Sequence, residues 1–364
     1  MTRWRIAGLV LLCVVLAAGA LAYGLRGQIA LAAMAGLYQH AFTADPYQGL
    51  GDGLHVGLCG SGSPMPDPTR AGPCTAILAG RRLLVVDVGA GAQKNLALMN
   101  LPPANVAAVF LTHFHSDHID GLGELLLQRW ASGANTSALP VYGPTGVDSV
   151  VEGFEEAYRL DRGYRIAHHG PLVTPPSGSG GIAHAFVVSR NGPDVVLIDD
   201  HGLKVTAFPV NHLPVEPAVG YRFDYRGRSV VVSGDTAPSP RLEADAKGAD
   251  VLVHEGLAPN LVDMQHRQAL KAGRTNLAAI THDIVSYHTS PEAAAGIAER
   301  ARVRYLLFTH IIPPLPFRAL EGPWLGRTRE IFHGTVRVGH DGDFLSLPAG
   351  STQIHRTNRL MTFQ

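Results

Sequence analysis

From about residue 52 onward, short apolar and β-branched runs are separated by polar turns, while longer stretches repeat apolar positions at helical spacing. The pattern predicts strands over 54–58, 74–78, 82–86, 107–111, 204–209, 229–233, 250–253 and 305–308. It predicts helices over 92–99, 122–130, 147–160 and 291–301. The last has a clear start signal, with Ser290 able to cap and Pro291 suited to the first turn. Strands alternating with helices point to an α/β layered fold. The segment 167–181, AHHGPLVTPPSGSGG, reads as a loop or short insertion, and a second Pro-rich stretch covers 312–317. Nothing divides 52–350, which reads as one domain followed by a C-terminal tail over 351–364.

The N-terminus follows a different rule. Residues 6–25 carry no charge, with Arg3 and Arg5 before them and Arg26 after. As a helix this run would rise roughly 30 Å, about one hydrocarbon core. Ala20-Leu21-Ala22 offers a signal-peptidase site, but the run exceeds the usual apolar region of a cleaved signal. Residues 1–26 are therefore expected to be a transmembrane anchor or a signal peptide, with the uncleaved anchor favoured. Residues 27–51 would form a linker or helical stalk. Either reading keeps the arginines inside and places the rest outside the cytoplasm, periplasmic or secreted, with the anchor tethering it to the inner membrane. There Cys59 and Cys74, at the end of one strand and the start of the next, either form a disulfide or remain buried thiols.

Composition narrows the chemistry. The chain has 364 residues, 46% of them hydrophobic and 16% charged, which excludes long disorder. Thirty basic residues balance 30 acidic ones, so no basic surplus advertises a nucleic-acid surface. Three cysteines exclude a cysteine-built zinc finger, whereas 18 histidines stand out. Several cluster where the strand ending at Leu111 turns toward a helix, as His113-Phe114-His115-Ser116-Asp117-His118, the pattern H-x-H-x-D-H. Imidazoles and a carboxylate suit zinc or another divalent transition metal. One ion cannot readily use all four donors, so the spacing suggests two. His212, Asp235 and His310 each follow another strand, and chain-distant strand ends converge at one edge of an α/β sheet.

These motifs resemble the metallo-β-lactamase superfamily, and within it the ribonuclease Z-like and arylsulfatase-type branch. The resemblance spans about 54–312 and includes LTHFHSDHIDGLGELL, VNHLPVEPAVGYRF, VVVSGDT, GADVLVHEG, YHTSPEAAAGIA and LLFTHI. It implies an αββα sandwich. It also implies that His113, His115 and His212 hold one metal, that Asp117, His118 and His310 hold a second, and that Asp235 bridges both. Zinc is the first expectation for both ions, with manganese or iron(II) as alternatives. The common dizinc β-lactamases would have cysteine where Asp235 stands, which weighs against that activity. Asp87 resembles the family's acid that orients ligands from behind; otherwise it is a strand-end acid near a helix start.

A water held between two divalent ions loses a proton near neutrality and can attack an ester. Asp117 and Asp235 offer carboxylates to orient it. A poor leaving group needs a proton, and His288 is the candidate donor, aimed by Glu255. Taken alone these would be a helix-start histidine and a surface acid; the resemblance implies a proton-donating pair. The expected activity is hydrolysis of a phosphodiester or sulfate ester. Lactone, carboxyl-ester or β-lactam hydrolysis, 3′ tRNA processing and a non-catalytic metal-binding module are the alternatives. Relatives that mature tRNA carry a protruding basic arm, whereas 167–181 has no Lys or Arg. A small-molecule ester is therefore the expected partner and nucleic acid is not, with membrane contact through the N-terminal helix and a homodimer allowed.

Overall fold

The computed structural model describes residues 2–360, in two units, 1–48 and 49–364. In the first unit, α1 (Thr2–Thr43) is a continuous helix that stays exposed along its length. Its uncharged stretch is apolar all round, and the helix is long and apolar enough to cross a membrane. It runs through Arg26 and most of the segment expected as linker or stalk.

The second unit begins with β1 (Gly53–Gly60), β2 (Cys74–Ala79), β3 (Arg82–Val86), α2 (Ala92–Leu98) and β4 (Val106–Phe110). Next come α3 (Ser116–Ile119), α4 (Leu122–Gly133), β5 (Leu139–Pro144), α5 (Val147–Ala157), α6 (Arg159–His169) and β6 (Gly181–Phe186). The second half contains β7 (Val195–Asp200), β8 (Leu203–Pro209), β9 (Val219–Tyr225), β10 (Arg228–Val232), α7 (Pro240–Asp245) and β11 (Val251–Leu257). It continues through α8 (Pro259–Lys271), α9 (Thr275–Asp283), α10 (Pro291–Arg300) and β12 (Tyr305–Ile312). Finally come α11 (Glu321–Leu325), α12 (Thr328–Ile331), β13 (Thr335–Val338), β14 (Asp343–Pro348) and β15 (His355–Asn358).

Two sheets result, ordered β15-β14-β1-β2-β3-β4-β5-β6 and β13-β12-β11-β10-β9-β8-β7. Their inner faces share one core: Leu54, Leu84 and Phe110 of the first meet Val205, Phe223 and Leu307 of the second. Outside the second sheet, Leu242 of α7, Ile297 of α10 and Trp324 of α11 cover Leu306 and Phe308. Outside the first, α2 lies on β1 and α5 on β5 and β6. This is an α/β sandwich with helices on both faces. Each fully buried Leu or Phe contributes roughly 1.5–3 kcal/mol, which makes the shared inner core the main source of stability.

The segment 167–181 is less loop-like than its composition suggests. His168 and His169 end α6, and Gly181 opens β6. The predicted helix over 147–160 breaks at Tyr158, between α5 and α6. There the Tyr158 ring lies against α4 at Gly123, where even a Cβ would collide with it. Cys59 and Cys74 form a disulfide between β1 and β2, with Cα atoms 5.0 Å apart. In the segment expected as a tail, β15 pairs with β14; residues 361–364 lie outside the described residues.

Candidate metal centre

The C-terminal ends of β4, β8, β10 and β12 meet at one edge of the sandwich. After β4 the chain reverses through Thr112–His115 into the short helix α3, which carries Asp117 and His118 inward. His212 follows β8, and Asp235 follows β10. His310 lies inside β12, where the pairing with β11 shifts register: Glu255 faces Thr309 and Gly256 faces Ile311. His310 is therefore the extra residue of a bulge, and its φ of 48° is unfavourable for a side chain with a Cβ. Asp87 adopts a similar left-handed backbone, with φ 57°. Strain of this kind concentrates at functional sites, held in place by the surrounding packing.

All seven expected ligand residues converge. Asp235 Oδ2 lies 3.2 Å from His310 Nε2 and 3.4 Å from His118 Nε2. It lies 3.9 Å from both His113 Nε2 and His212 Nε2. Asp117 Oδ2 is 3.2 Å from His310 Nε2 and 3.5 Å from His118 Nε2. His115 Nδ1 approaches His113 Nε2 at 3.0 Å. The donors form two groups able to hold an ion, His113–His115–His212–Asp235 and Asp117–His118–His310. All are buried except His115, which faces solvent.

The outer ring nitrogens explain why the inner ones are free. We assign His118 Nδ1 as donor to Asp87 Oδ2 at 2.8 Å and His212 Nδ1 as donor to the Tyr287 carbonyl at 3.0 Å. His113 Nδ1 donates to Thr112 Oγ1 at 3.0 Å, and that hydroxyl donates to Asp87 Oδ2 at 2.8 Å. Each Nδ1 proton is thus committed outward, leaving an Nε2 lone pair pointing to the centre. His118 Nε2, His212 Nε2 and Asp235 Oδ1 are buried without hydrogen-bond partners. Buried polar atoms seldom lack a partner, and imidazoles with carboxylates and no thiolate suit zinc or a related divalent ion. The residues present therefore fit a metal.

Electrostatics point the same way. Burial drives His113 well below the ordinary imidazole range, and neighbouring His118 pushes it further down. Burial opposes ionisation of Asp235, yet His310 and His118 hold its carboxyl well below the usual range. Burial likewise opposes the charge on His118, but Asp235 and Asp87 raise it well above normal. The centre therefore attracts positive charge to its middle.

His288 stands beside the cluster, its ring 5.3 Å from that of His212 and 5.4 Å from that of His310. With Asp235 and His310 it forms a third ligand-capable group. Its Nδ1 is 3.3 Å from Glu255 Oε1, an ion pair rather than an aligned hydrogen bond. Burial would lower His288, but Glu255 outweighs it and the imidazole is raised above its usual range. Glu255 is itself buried and accepts from the Thr289 amide at 2.8 Å, so it is not the surface acid that its sequence alone suggests. Sequence reasoning missed Thr112, the Tyr287 carbonyl and the Tyr221 hydroxyl, which donates to Leu111 O at 2.5 Å and pins the end of β4. Only the adjacency of Thr112 and Tyr287 to the histidine motifs could have flagged them.

Residues 82–311 match the family described as "Beta-lactamase superfamily domain". The chain belongs to this superfamily, and it is a metal-dependent hydrolase of the kind with helices outside two stacked sheets. Within it, Ribonuclease Z of Mycobacterium bovis is 38% identical over 290 residues, 79% of this chain and 96% of that protein. Ribonuclease Z of Mycobacterium avium matches with the same identity and coverage. Among solved structures, human tRNase Z, short form, superposes with a TM-score of 0.58 at 22% identity, covering 81% of this chain and 99% of that one. The metallo-beta-lactamase fold protein YhfI of Bacillus subtilis gives 0.57 at 19% identity, covering 80% and 99%.

These relatives overturn one expectation. Neutral charge and the lack of Lys or Arg in 167–181 point to a small ester and away from nucleic acid, yet the matching relatives are ribonucleases by name. Net charge is a sum that hides local distribution. Arg159, Arg162 and Arg165 precede 167–181 on α6, but each pairs with a carboxylate, of Glu156, Glu155 and Asp161 respectively, so they add no unbalanced basic surface.

Proposed function

We propose that the chain is a dizinc phosphodiesterase acting on RNA. The carrying observation is Asp235 Oδ2, ringed by four inward-facing imidazole nitrogens. His113, His115 and His212 would hold one ion, Asp117, His118 and His310 the other, and Asp235 both. Two such ions supply an acidified water and neutralise charge growing on the phosphate oxygens. The chain does the rest. Asp117 and Asp235 orient the attacking oxygen and accept its hydrogen bonds. Glu255 keeps His288 protonated and aimed, and His288 passes its proton to the departing oxygen, which is required when that oxygen is a poor leaving group. In this reading α1 tethers the enzyme to a membrane with the catalytic unit outside the cytoplasm; the Cys59–Cys74 disulfide supports an oxidising compartment.

The full chain in detergent, loaded with zinc and measured by mass spectrometry, is expected to bind two ions and to lose at least one in Asp235→Ala. Fewer than two at saturation, with Asp235→Ala unchanged, overturns the dinuclear centre. His288→Ala is expected to slow RNA cleavage by about 10²-fold or more and bis(4-nitrophenyl) phosphate hydrolysis far less. Equal losses on both remove the proton-donor role. A wild-type chain that hydrolyses bis(4-nitrophenyl) phosphate but leaves RNA intact removes the RNA substrate.

A further inference from the structure

Three residues behind the metal centre share one hydrogen-bonded junction, and each is the chain neighbour of a site residue. Thr289 follows His288, Thr236 follows Asp235, and Asn211 precedes His212. Thr236 Oγ1 accepts from the Asn211 amide at 3.1 Å and donates to Ala237 O at 2.6 Å. Thr289 is fully buried. Its amide donates to Glu255 Oε1 at 2.8 Å, and its carbonyl accepts from the Leu257 amide at 3.0 Å. Both of those partners lie on β11. The Thr289 hydroxyl instead reaches the loop after β10, donating to Thr236 O at 2.5 Å across 53 residues of chain. Glu255 Oε1 adds a longer contact to that loop, from the Thr236 amide at 3.4 Å.

His288 depends on this junction for its place. Before it comes a short turn, Ile284–Ser286, in which Val285 and Ser286 are exposed, and then the half-buried Tyr287. His288 Nδ1 is buried without an aligned hydrogen bond of its own. After it come Thr289 and the capped start of α10. Two links join this segment to the ligand residues. Tyr287 O accepts from His212 Nδ1 at 3.0 Å, and the Thr289 hydroxyl holds the residue next to Asp235.

We propose that Thr289 is a positioning residue: its hydroxyl clasps the His288 segment to the Asp235 loop and so fixes the proton donor relative to the bridging carboxylate. This rests on the reading of His288 as the acid of a metal-dependent phosphodiesterase. In that reaction Asp235 orients the attacking oxygen and His288 meets the departing one, so a single phosphate must span both. A shift of about 1 Å in such a pair costs up to ~10²-fold in rate. Thr289 itself touches neither substrate nor ion. It acts through His288, and its hydroxyl matters most where a proton has to be delivered.

The test uses the full chain in detergent, loaded with zinc. Thr289→Val keeps the branched shape and both bonds to β11 while removing the hydroxyl, and Thr289→Ser restores it. Thr289→Val is expected to lower kcat on RNA about tenfold with KM held, and bis(4-nitrophenyl) phosphate hydrolysis far less. Thr289→Ser is expected to recover most of the loss. In a His288→Ala background Thr289→Val is expected to add no further loss, because the donor it serves is gone. Losses that multiply in the double variant, that are equal on both substrates, or that Thr289→Ser fails to repair overturn the proposal. Amide exchange of the zinc-free chain gives a readout apart from turnover: 284–289 is expected to exchange faster in Thr289→Val and not in Thr289→Ser. Unchanged exchange there also overturns the clasp. Should Thr289→Val fail to fold by circular dichroism, Thr289→Ala, which leaves space for a water beside Thr236 O, carries the same expectations. Equal slowing of both substrates by His288→Ala defeats the reading of His288 as the acid. A selective His288→Ala beside a Thr289→Val chain that behaves as wild type defeats the clasp alone. If RNA is not cleaved at all, the RNA reading falls, and diphenyl phosphate, with a poorer leaving group than nitrophenolate, serves the same comparison.

Discussion

Asp87 shows how a single carboxylate disciplines the centre. It accepts from the Thr112 amide, the Thr112 hydroxyl and His118 Nδ1, each at 2.8 Å. Asp341 plays a comparable part further out. It accepts from Ser61 N and Oγ at 2.8 Å, from Ala71 N at 2.7 Å and from Asn95 Nδ2 at 2.7 Å. Ser61 in turn accepts from the Ile311 amide, so the loop after β1 is tied to the residue following His310. Burial nevertheless pushes the Asp341 carboxyl up to about 6, against donors that favour its charge. The folded chain thus holds this proton more tightly than the unfolded one. The group's contribution is full below about 4 and lost as pH rises through about 6. Asp341→Asn is expected to remove up to ~1.4 kcal/mol per pH unit from the slope of unfolding free energy across that window. Urea titrations from pH 4 to 7 on both chains check this; parallel curves would refute it. The ligand residues were legible because they crowd into a motif or end a strand. Asp341 was not, because its role is created by four hydrogen bonds from three residues, Ser61, Ala71 and Asn95, far from it in the chain.

At the scale of elements, α10 is one start whose sequence signal and geometry coincide. Ser290 Oγ accepts from Ala293 N at 3.1 Å, with Pro291 in the first turn. That cap also anchors the preceding stretch, where Thr289 Oγ1 donates to Thr236 O and Thr289 N to Glu255. Ser290→Ala is expected to cost about 1 kcal/mol, with Ser290→Asp retaining most of it, as read from chemical unfolding. Equal losses in both would show that the cap bond is not the source. Strands with continuous apolar runs, such as β3 and β10, announced themselves, whereas β9 and β14, mostly buried but interrupted by Arg222, Asp224 and Ser346, did not. Partly exposed strands did not: β6 and β7 show mixed burial and β15 is almost wholly exposed, so neither alternation nor hydrophobic length marks them. The hairpin α8–α9 escaped because its amphipathic face covers only a small cluster.

For the whole molecule, the two sheets and their order could not be read from one sequence, because strand neighbours far apart in the chain, such as β1 and β14, pair by long-range packing. The disulfide adds a covalent constraint beside this network. Cys59 and Cys74 are 15 residues apart, and a loop of that size is worth about 3 kcal/mol. Cys59→Ser with Cys74→Ser is expected to lower the unfolding free energy by about that amount while leaving zinc stoichiometry intact. No change in stability would mean the bridge is formed but idle.

The donor groups straddle the two sheets: His113 through His118 hang from β4, whereas His212, Asp235 and His310 come from strands of the other sheet. An ion shared by both layers would act as a clasp across the open end of a book whose spine is the inner core. Emptying that clasp should let the pages part at one edge while the spine stays shut. Amide exchange is expected to quicken on chelation at the ends of β4, β8 and β10 together, and to remain slow in the middle of the same strands. Catalysis and mechanical closure would then depend on the same few atoms.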